Sequence, residues 1–145
     1  MVFDGINFNL TEEHLAVQEA ARDFAQNELL PGIVERDNEQ KFDPKLLKRM
    51  GELGFLGMMV SPEYGGGGMD TVSYVIAMEE LSKVDASASV MVSVKNSLVC
   101  YGLEAYGTEE QKRKYLAPLA SGEIIGAFCL SEPEAGSDAT SQHTT

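Results

Sequence analysis

Residues 86–101, ASASVMVSVKNSLVCY, constrain the fold more than any other stretch. They carry one charge, Lys95, and small or apolar side chains fall on every side of a helix drawn through them. A helix without a polar face needs cover all round. The segment therefore predicts a central helix with others packed upon it.

The surrounding sequence supplies those others. From Thr11, Val17, Ala20, Ala21, Phe24, Ala25 and Leu29 recur at helical spacing, until Pro31 and Gly32 stop the pattern. Asp43 as N-cap and Pro44 at the first helical position open a second helix through Leu46, Leu47, Met50 and Leu53, closed by Gly54. Residues 57–68 are too rich in glycine and proline for regular structure. A helix over 71–84 follows, with Val72, Val75, Ile76, Met78, Glu79 and Leu81 in register. Thr108-Glu109-Glu110-Gln111 fits a capping box, and its helix runs to about Gly122. The fold class is mainly α, with about five helices.

After Gly122 the period changes. Ile124, Ile125, Phe128 and Leu130 read as a short β-prone run ending in the turn-rich residues 131–138. The expected division is a helical domain over 1–122 and the beginning of a β-domain over 123–145. A lone strand has no partner here for its backbone hydrogen bonds, so the chain reads as truncated.

Composition excludes several classes. The 145 residues are 43% apolar and 23% charged, enough for a packed core. Lys and Arg total 11 against 23 Asp and Glu, and 11 − 23 gives a net charge of −12. No basic and aromatic interleaving accompanies it, so nucleic acid is not an expected partner. No run approaches the roughly 20 apolar residues of a membrane span, and the opening MVFDGINFNLTEEH lacks a basic leader. The expectation is a soluble cytoplasmic protein in which Cys100 and Cys129 are reduced packing residues.

Chemistry concentrates after Leu130. Ser131 and Ser137 bracket a turn in which Pro133 fixes φ and Gly136 permits close approach. Amides and hydroxyls so arranged suit the carbonyls of a flat heterocycle or the oxygens of a diphosphate. An ordinary surface turn has the same composition.

Four pieces of sequence resemble the acyl-CoA dehydrogenases, flavoenzymes that oxidise the α,β bond of acyl thioesters. They are Pro62-Glu63-Tyr64-Gly65-Gly66, Glu79-Glu80-Leu81, Tyr106-Gly107-Thr108-Glu109-Glu110-Gln111-Lys112, and Leu130-Ser131-Glu132-Pro133 with Ala135-Gly136-Ser137-Asp138. Each is weak alone; the four in this order are specific. The segment from Ser93 to Leu98 is most similar to the short-chain, butyryl-CoA type. The resemblance implies an N-terminal helical domain, the first strand and loop of a middle β-domain, and an absent C-terminal helical bundle. It implies FAD held by Phe128 and Leu130 along the ring, Ser131 at its pyrimidine edge, Gly136 allowing close approach, and Ser137 beside the phosphates or the thioester ligand. It further implies a short-chain acyl-CoA substrate, an electron-transferring flavoprotein as partner, a place in fatty acid β-oxidation and a homotetramer. The family's catalytic glutamate lies in the absent bundle, so no catalytic residue is assigned here and the fragment alone should be inactive. An acyl-CoA oxidase of the same fold, or a helical interaction module offering its last strand to a partner's sheet, are the alternatives.

Other candidates are weaker. Residues 65–68 precede a helix, yet no P-loop lysine follows and Asp70 would repel an anion, so a flexible connector is expected. Glu79 and Glu80 point about 100° apart on a helix, which favours a structural pairing with a distant Arg or Lys. His14 and His143 lack the company that a metal site or nucleophile needs, and no metal is expected. Alternation sends Cys129 opposite Phe128 and Leu130, into packing. Val90, Val94 and Leu98 line either a core or an acyl channel, and Lys95 is expected to snorkel outward. Lys112, Arg113 and Lys114 form the one basic cluster, which either attracts an anionic CoA tail or, as basic clusters more often do, balances acidic neighbours on a solvated face, and no role is assigned to it.

Overall fold

The computed structural model describes residues 9–144. The opening residues 1–8, read above for a leader, and the terminal Thr145 lie outside them. Seven α-helical segments occur among the described residues: α1 (Glu12–Phe24), α2 (Ile33–Asn38), α3 (Pro44–Glu52), α4 (Thr71–Ser82), α5 (Ala86–Ser93), α6 (Tyr101–Tyr106) and α7 (Glu109–Ala120). A π-turn over Ala25–Leu29 prolongs α1, and another over Val94–Cys100 joins α5 to α6 in one continuous rod. The expected helices are all present. The short α2 was missed; its N-cap is Gly32 in the left-handed region, with no side-chain cap to read.

Helix starts follow side-chain chemistry. Thr11 and Thr108 both form capping boxes, the second through Gln111 as expected, while Asp43 accepts from the Lys45 amide ahead of Pro44. The surprise is His14, which serves as the reciprocal member of the first box. Its Nδ1 accepts from the Thr11 amide, and its Nε2 sits 3.0 Å from Asp70, itself the N-cap of α4 through the Ser73 amide at 2.7 Å. His14 is a structural link between two helix N-termini.

Two clusters form the core. The larger joins Val17, Ala21, Phe24 and Leu29 of the α1 segment to Leu47 and Met50 of α3, Phe55, Leu56 and Met58, and Leu81 and Val92; Phe24 and Phe55 lie 5.6 Å apart. The smaller gathers Val60, Tyr64, Cys100, Leu116 and Leu119. On the closely packed α1–α4 face, Arg22 grips Glu80 with two bonds of 3.0 and 3.2 Å, and Lys83 adds a third at 3.0 Å. The Glu80 side chain is 4% exposed. Its Arg22 bonds hold its pKa below the usual glutamate range, which answers the expectation of a distant basic partner.

The glycine stretch is anchored, not loose. Gly67, Gly68 and Met69 donate to the carbonyls of Gly57, Val60 and Met58, and a Cβ on Gly66 would stand 2.1 Å from the Val60 carbonyl oxygen. Its amides are spent internally, so the connector reading stands without the flexibility, and no anion cradle forms.

The rod also differs from expectation. Val90, Leu98 and Tyr101 are exposed, so one face lacks cover and the Val90, Val94 and Leu98 stripe is not core. Lys95 does not snorkel: it is 2% exposed.

Asp70 yields a pH prediction. The Ser73 amide, and next His14, lower its pKa from 3.8 to about 2. A carboxyl depressed on folding contributes stability above its unfolded pKa and loses it as pH falls through the folded value. Asp70→Asn should therefore flatten the decline in unfolding free energy between about pH 4 and pH 2. Denaturant titrations at stepped pH would contradict this if the acid slope were unaltered.

Candidate functional site

The candidate site is the segment after α7. Gly122, at φ +78°, turns the chain at the helix end, and the Ile124 amide donates to the Pro118 carbonyl at 3.1 Å. From there no strand forms among the described residues; the expected run through Leu130 is extended coil. The physical reason is the one that made a lone strand doubtful: no neighbouring strand takes up its amides and carbonyls. The sheet-like pairing among the described residues is an isolated bridge between Glu132 and Ala135, whose amides and carbonyls exchange bonds of 3.0 and 3.2 Å around Pro133 and Glu134.

The turn is tied down from behind. The Glu132 carboxylate accepts from the amides of His143 at 2.7 Å and Thr144 at 3.0 Å, and from the Thr144 hydroxyl. The His143 amide bond leads these causes in holding the Glu132 pKa low. Asp138 accepts from the hydroxyls of Ser141 at 2.5 Å and Thr140 at 2.6 Å, which lower its pKa. The Gln142 side-chain Nε2 donates to the Leu130 carbonyl. Ala135 is buried at the centre.

The five predicted ligand-binding residues lie along this segment and face solvent. Phe128 is 50% exposed, Leu130 43% and the intervening Cys129 also exposed, which overturns its assignment to packing. Without a sheet there are no opposite faces to sort alternating side chains. Ser131, Gly136 and Ser137 are exposed, and a Cβ built on Gly136 meets nothing within 4 Å. The Ser131 and Ser137 hydroxyls make no hydrogen bond among the described residues. An apolar edge, free hydroxyls and an open glycine on a braced turn suit a flat, oxygen-bearing ligand. Ile125, 67% exposed, extends the apolar edge and was not singled out in sequence, where it read as one strand residue among several.

A concavity of about 600 Å³ lies elsewhere, lined by Ile33, Phe42, Leu46 and Met91 with Arg36 and Asp85. Its guanidinium is committed: Arg36 donates to the carbonyls of Leu29 at 2.5 Å and Pro31 at 2.8 Å and to Asp85 at 3.2 Å. That set closes the end of the α1 segment and leaves little for a ligand. No group of His, Cys, Asp or Glu among the described residues can hold a metal ion, and no helix among them is long and apolar enough to cross a membrane. The basic cluster balances acids as read, with Arg113 2.8 Å from Glu63.

With this geometry in hand, comparison with known proteins is decisive. The profile of the acyl-CoA dehydrogenase N-terminal domain matches residues 11–123. The chain belongs to the acyl-CoA dehydrogenase family. A short-chain-specific acyl-CoA dehydrogenase of Clostridium acetobutylicum is 48% identical over 139 residues, which are 96% of this chain and 37% of that protein. The butyryl-CoA dehydrogenase structure of Megasphaera elsdenii superposes with a TM-score of 0.89 at 39% identity, over 96% of this chain and 37% of that one. A chain solved in work on an electron transferring flavoprotein of Acidaminococcus fermentans has a TM-score of 0.91 at 48% identity, over 97% and 37%. The chain thus spans little more than a third of the length of these relatives.

The two cysteines provide a direct check. Burial raises the Cys100 thiol pKa to about 11, whereas Cys129 is exposed. A colorimetric thiol reagent should titrate one sulfhydryl in the native chain and a second after denaturation. Two rapid equivalents in the native state would contradict this arrangement.

Proposed function

We propose that this chain is the N-terminal helical domain, residues 1–122, and the start of the middle β-domain, residues 123–145, of an FAD-dependent short-chain acyl-CoA dehydrogenase. The observation that carries the reading is the 130–144 turn. It is braced through Glu132 and Asp138 yet leaves Phe128, Leu130, the Ser131 hydroxyl and the space beside Gly136 free for a ligand. Such preorganisation lowers the ordering cost of binding.

Bound flavin supplies the two-electron acceptor needed to oxidise the α,β bond of an acyl thioester. This chain's part is to hold and orient it. Phe128 and Leu130 offer an apolar edge to the ring system, and the Ser131 hydroxyl can donate to a carbonyl of its pyrimidine edge. Gly136 admits the ligand where a side chain would intrude, and Ser137 serves the phosphates or the substrate. None of these residues is assigned the α-proton; the base is a glutamate of the C-terminal helical bundle.

The remaining reading follows the relatives. The short-chain name of the 48% identical Clostridium protein favours a short acyl-CoA, and the Acidaminococcus match favours an electron-transferring flavoprotein as acceptor. We place the protein in the cytoplasm, as a homotetramer acting in fatty acid β-oxidation.

Equilibrium dialysis of the full-length protein against FAD tests the site. Ser131→Ala should weaken retention by about 1 kcal/mol, the net worth of one hydrogen bond, with thermal stability unchanged. Unaltered retention would reject the Ser131 role. Oxygen consumption as fast as reduction of an artificial acceptor would replace the dehydrogenase reading by the oxidase one.

A further inference from the structure

Lys95 is the residue that neither the family resemblance nor the site accounts for. It lies in the π-turn Val94–Cys100, 2% exposed, in a stretch, residues 86–101, otherwise free of charge. A buried ammonium without a carboxylate is costly and is retained only where it satisfies something. Its Nζ donates to a single acceptor, the Ile124 carbonyl oxygen, at 2.5 Å. No acid pairs with it among the described residues. Burial pulls its pKa below the usual lysine range, with the Cys100 thiol acting weakly in the opposite direction.

Ile124 is the root of the candidate loop. Its amide is held by Pro118 of α7 and its carbonyl by Lys95 of the rod. Two residues on, Gly126 lies so close to the same two elements that a Cβ there would come within 2.5 Å of a Val99 methyl and 2.9 Å of a Leu119 methyl. Residue Ile124 is thus gripped at both its amide and its carbonyl, and the next glycine is pressed into the groove between α7 and the rod. The direction in which the chain leaves toward Phe128, Leu130 and Ser131 is set at this grip.

The geometry points to Lys95 as a positioning residue: its buried ammonium clamps the Ile124 carbonyl and thereby fixes the loop that meets the flavin. The clamp stands on the contacts just given, and its consequence for the cofactor rests on the flavin reading above. Lys95 touches no ligand itself. Because coupling is reciprocal, occupancy of the loop by FAD should tighten the clamp in return.

The test uses the full-length protein and two variants. Lys95→Met keeps the stem and removes the donor; Lys95→Gln keeps an N–H donor without charge. In hydrogen exchange, the peptide covering residues 119–126 should exchange about tenfold faster in Lys95→Met, the range of one lost hydrogen bond, while residues 17–29 of the core are unchanged. FAD dissociation should rise by a similar factor, and Lys95→Gln should recover most of both. In the wild-type protein, removal of FAD should speed acetylation of Lys95 by acetic anhydride, a readout independent of any variant's folding. Equal exchange at 119–126 in wild type and Lys95→Met would overturn the clamp. So would a rise shared equally by residues 17–29, or acetylation indifferent to FAD. A protein that takes up no FAD would sink the flavin reading while leaving the exchange comparison to decide the clamp.

Discussion

The side chain of Asn96 is the joint on which the structure turns. Buried in the π-turn of the central rod, it donates to the carbonyls of Val92 at 2.9 Å and Phe55 at 2.8 Å, and accepts from the Met59 amide at 3.4 Å. The segment it reaches contributes Phe55, Leu56 and Met58 to one core cluster and Val60 to the other. A π-turn loosens the regular carbonyl ladder of a helix. Here Asn96 and Ser97, whose hydroxyl donates to the Ser93 carbonyl at 2.8 Å, repair it. Leaving such groups unpaired inside would cost about 1–3 kcal/mol each. The register of the rod is therefore fixed, and with it the inward aim of the preceding Lys95.

What could be read from sequence was what local chemistry decides. Asp43-Pro44 and Thr108 with Gln111 announce helix starts because their side chains bond amides three or fewer residues away. Glu80 was legible as half of an ion pair because its angular separation from Glu79 argued against a shared proton. Its partner, 58 residues distant, was not. The π-turns escaped because a single extra residue per turn hardly disturbs a pattern of small apolar side chains. Without the resulting rotation, Lys95 reads as a side chain with room to reach water.

The anchored glycines and the missing strand show opposite failures of local reasoning. Residues 65–68 have the composition of a loose connector, yet carbonyls several residues back capture their amides and leave no space beside Gly66. Residues 124–130 have the composition of a strand, but strand structure is a property of a pair, and the described residues offer no partner. The residues proposed to meet the flavin were legible only through the motif around Leu130 and Ser131. Their brace, Glu132 and Asp138 reaching to residues 140–144, left no signal beyond the turn-forming character of the residues themselves.

Flavin chemistry at the 128–137 edge is the claim to which these contacts lead. Anaerobic titration of the full-length protein with butyryl-CoA, followed by visible absorption, tests it most directly. A yellow protein whose flavin band bleaches as the thioester is added is the expected result. A protein that stays colourless after incubation with FAD, or one whose flavin band is unmoved by the thioester, would contradict it.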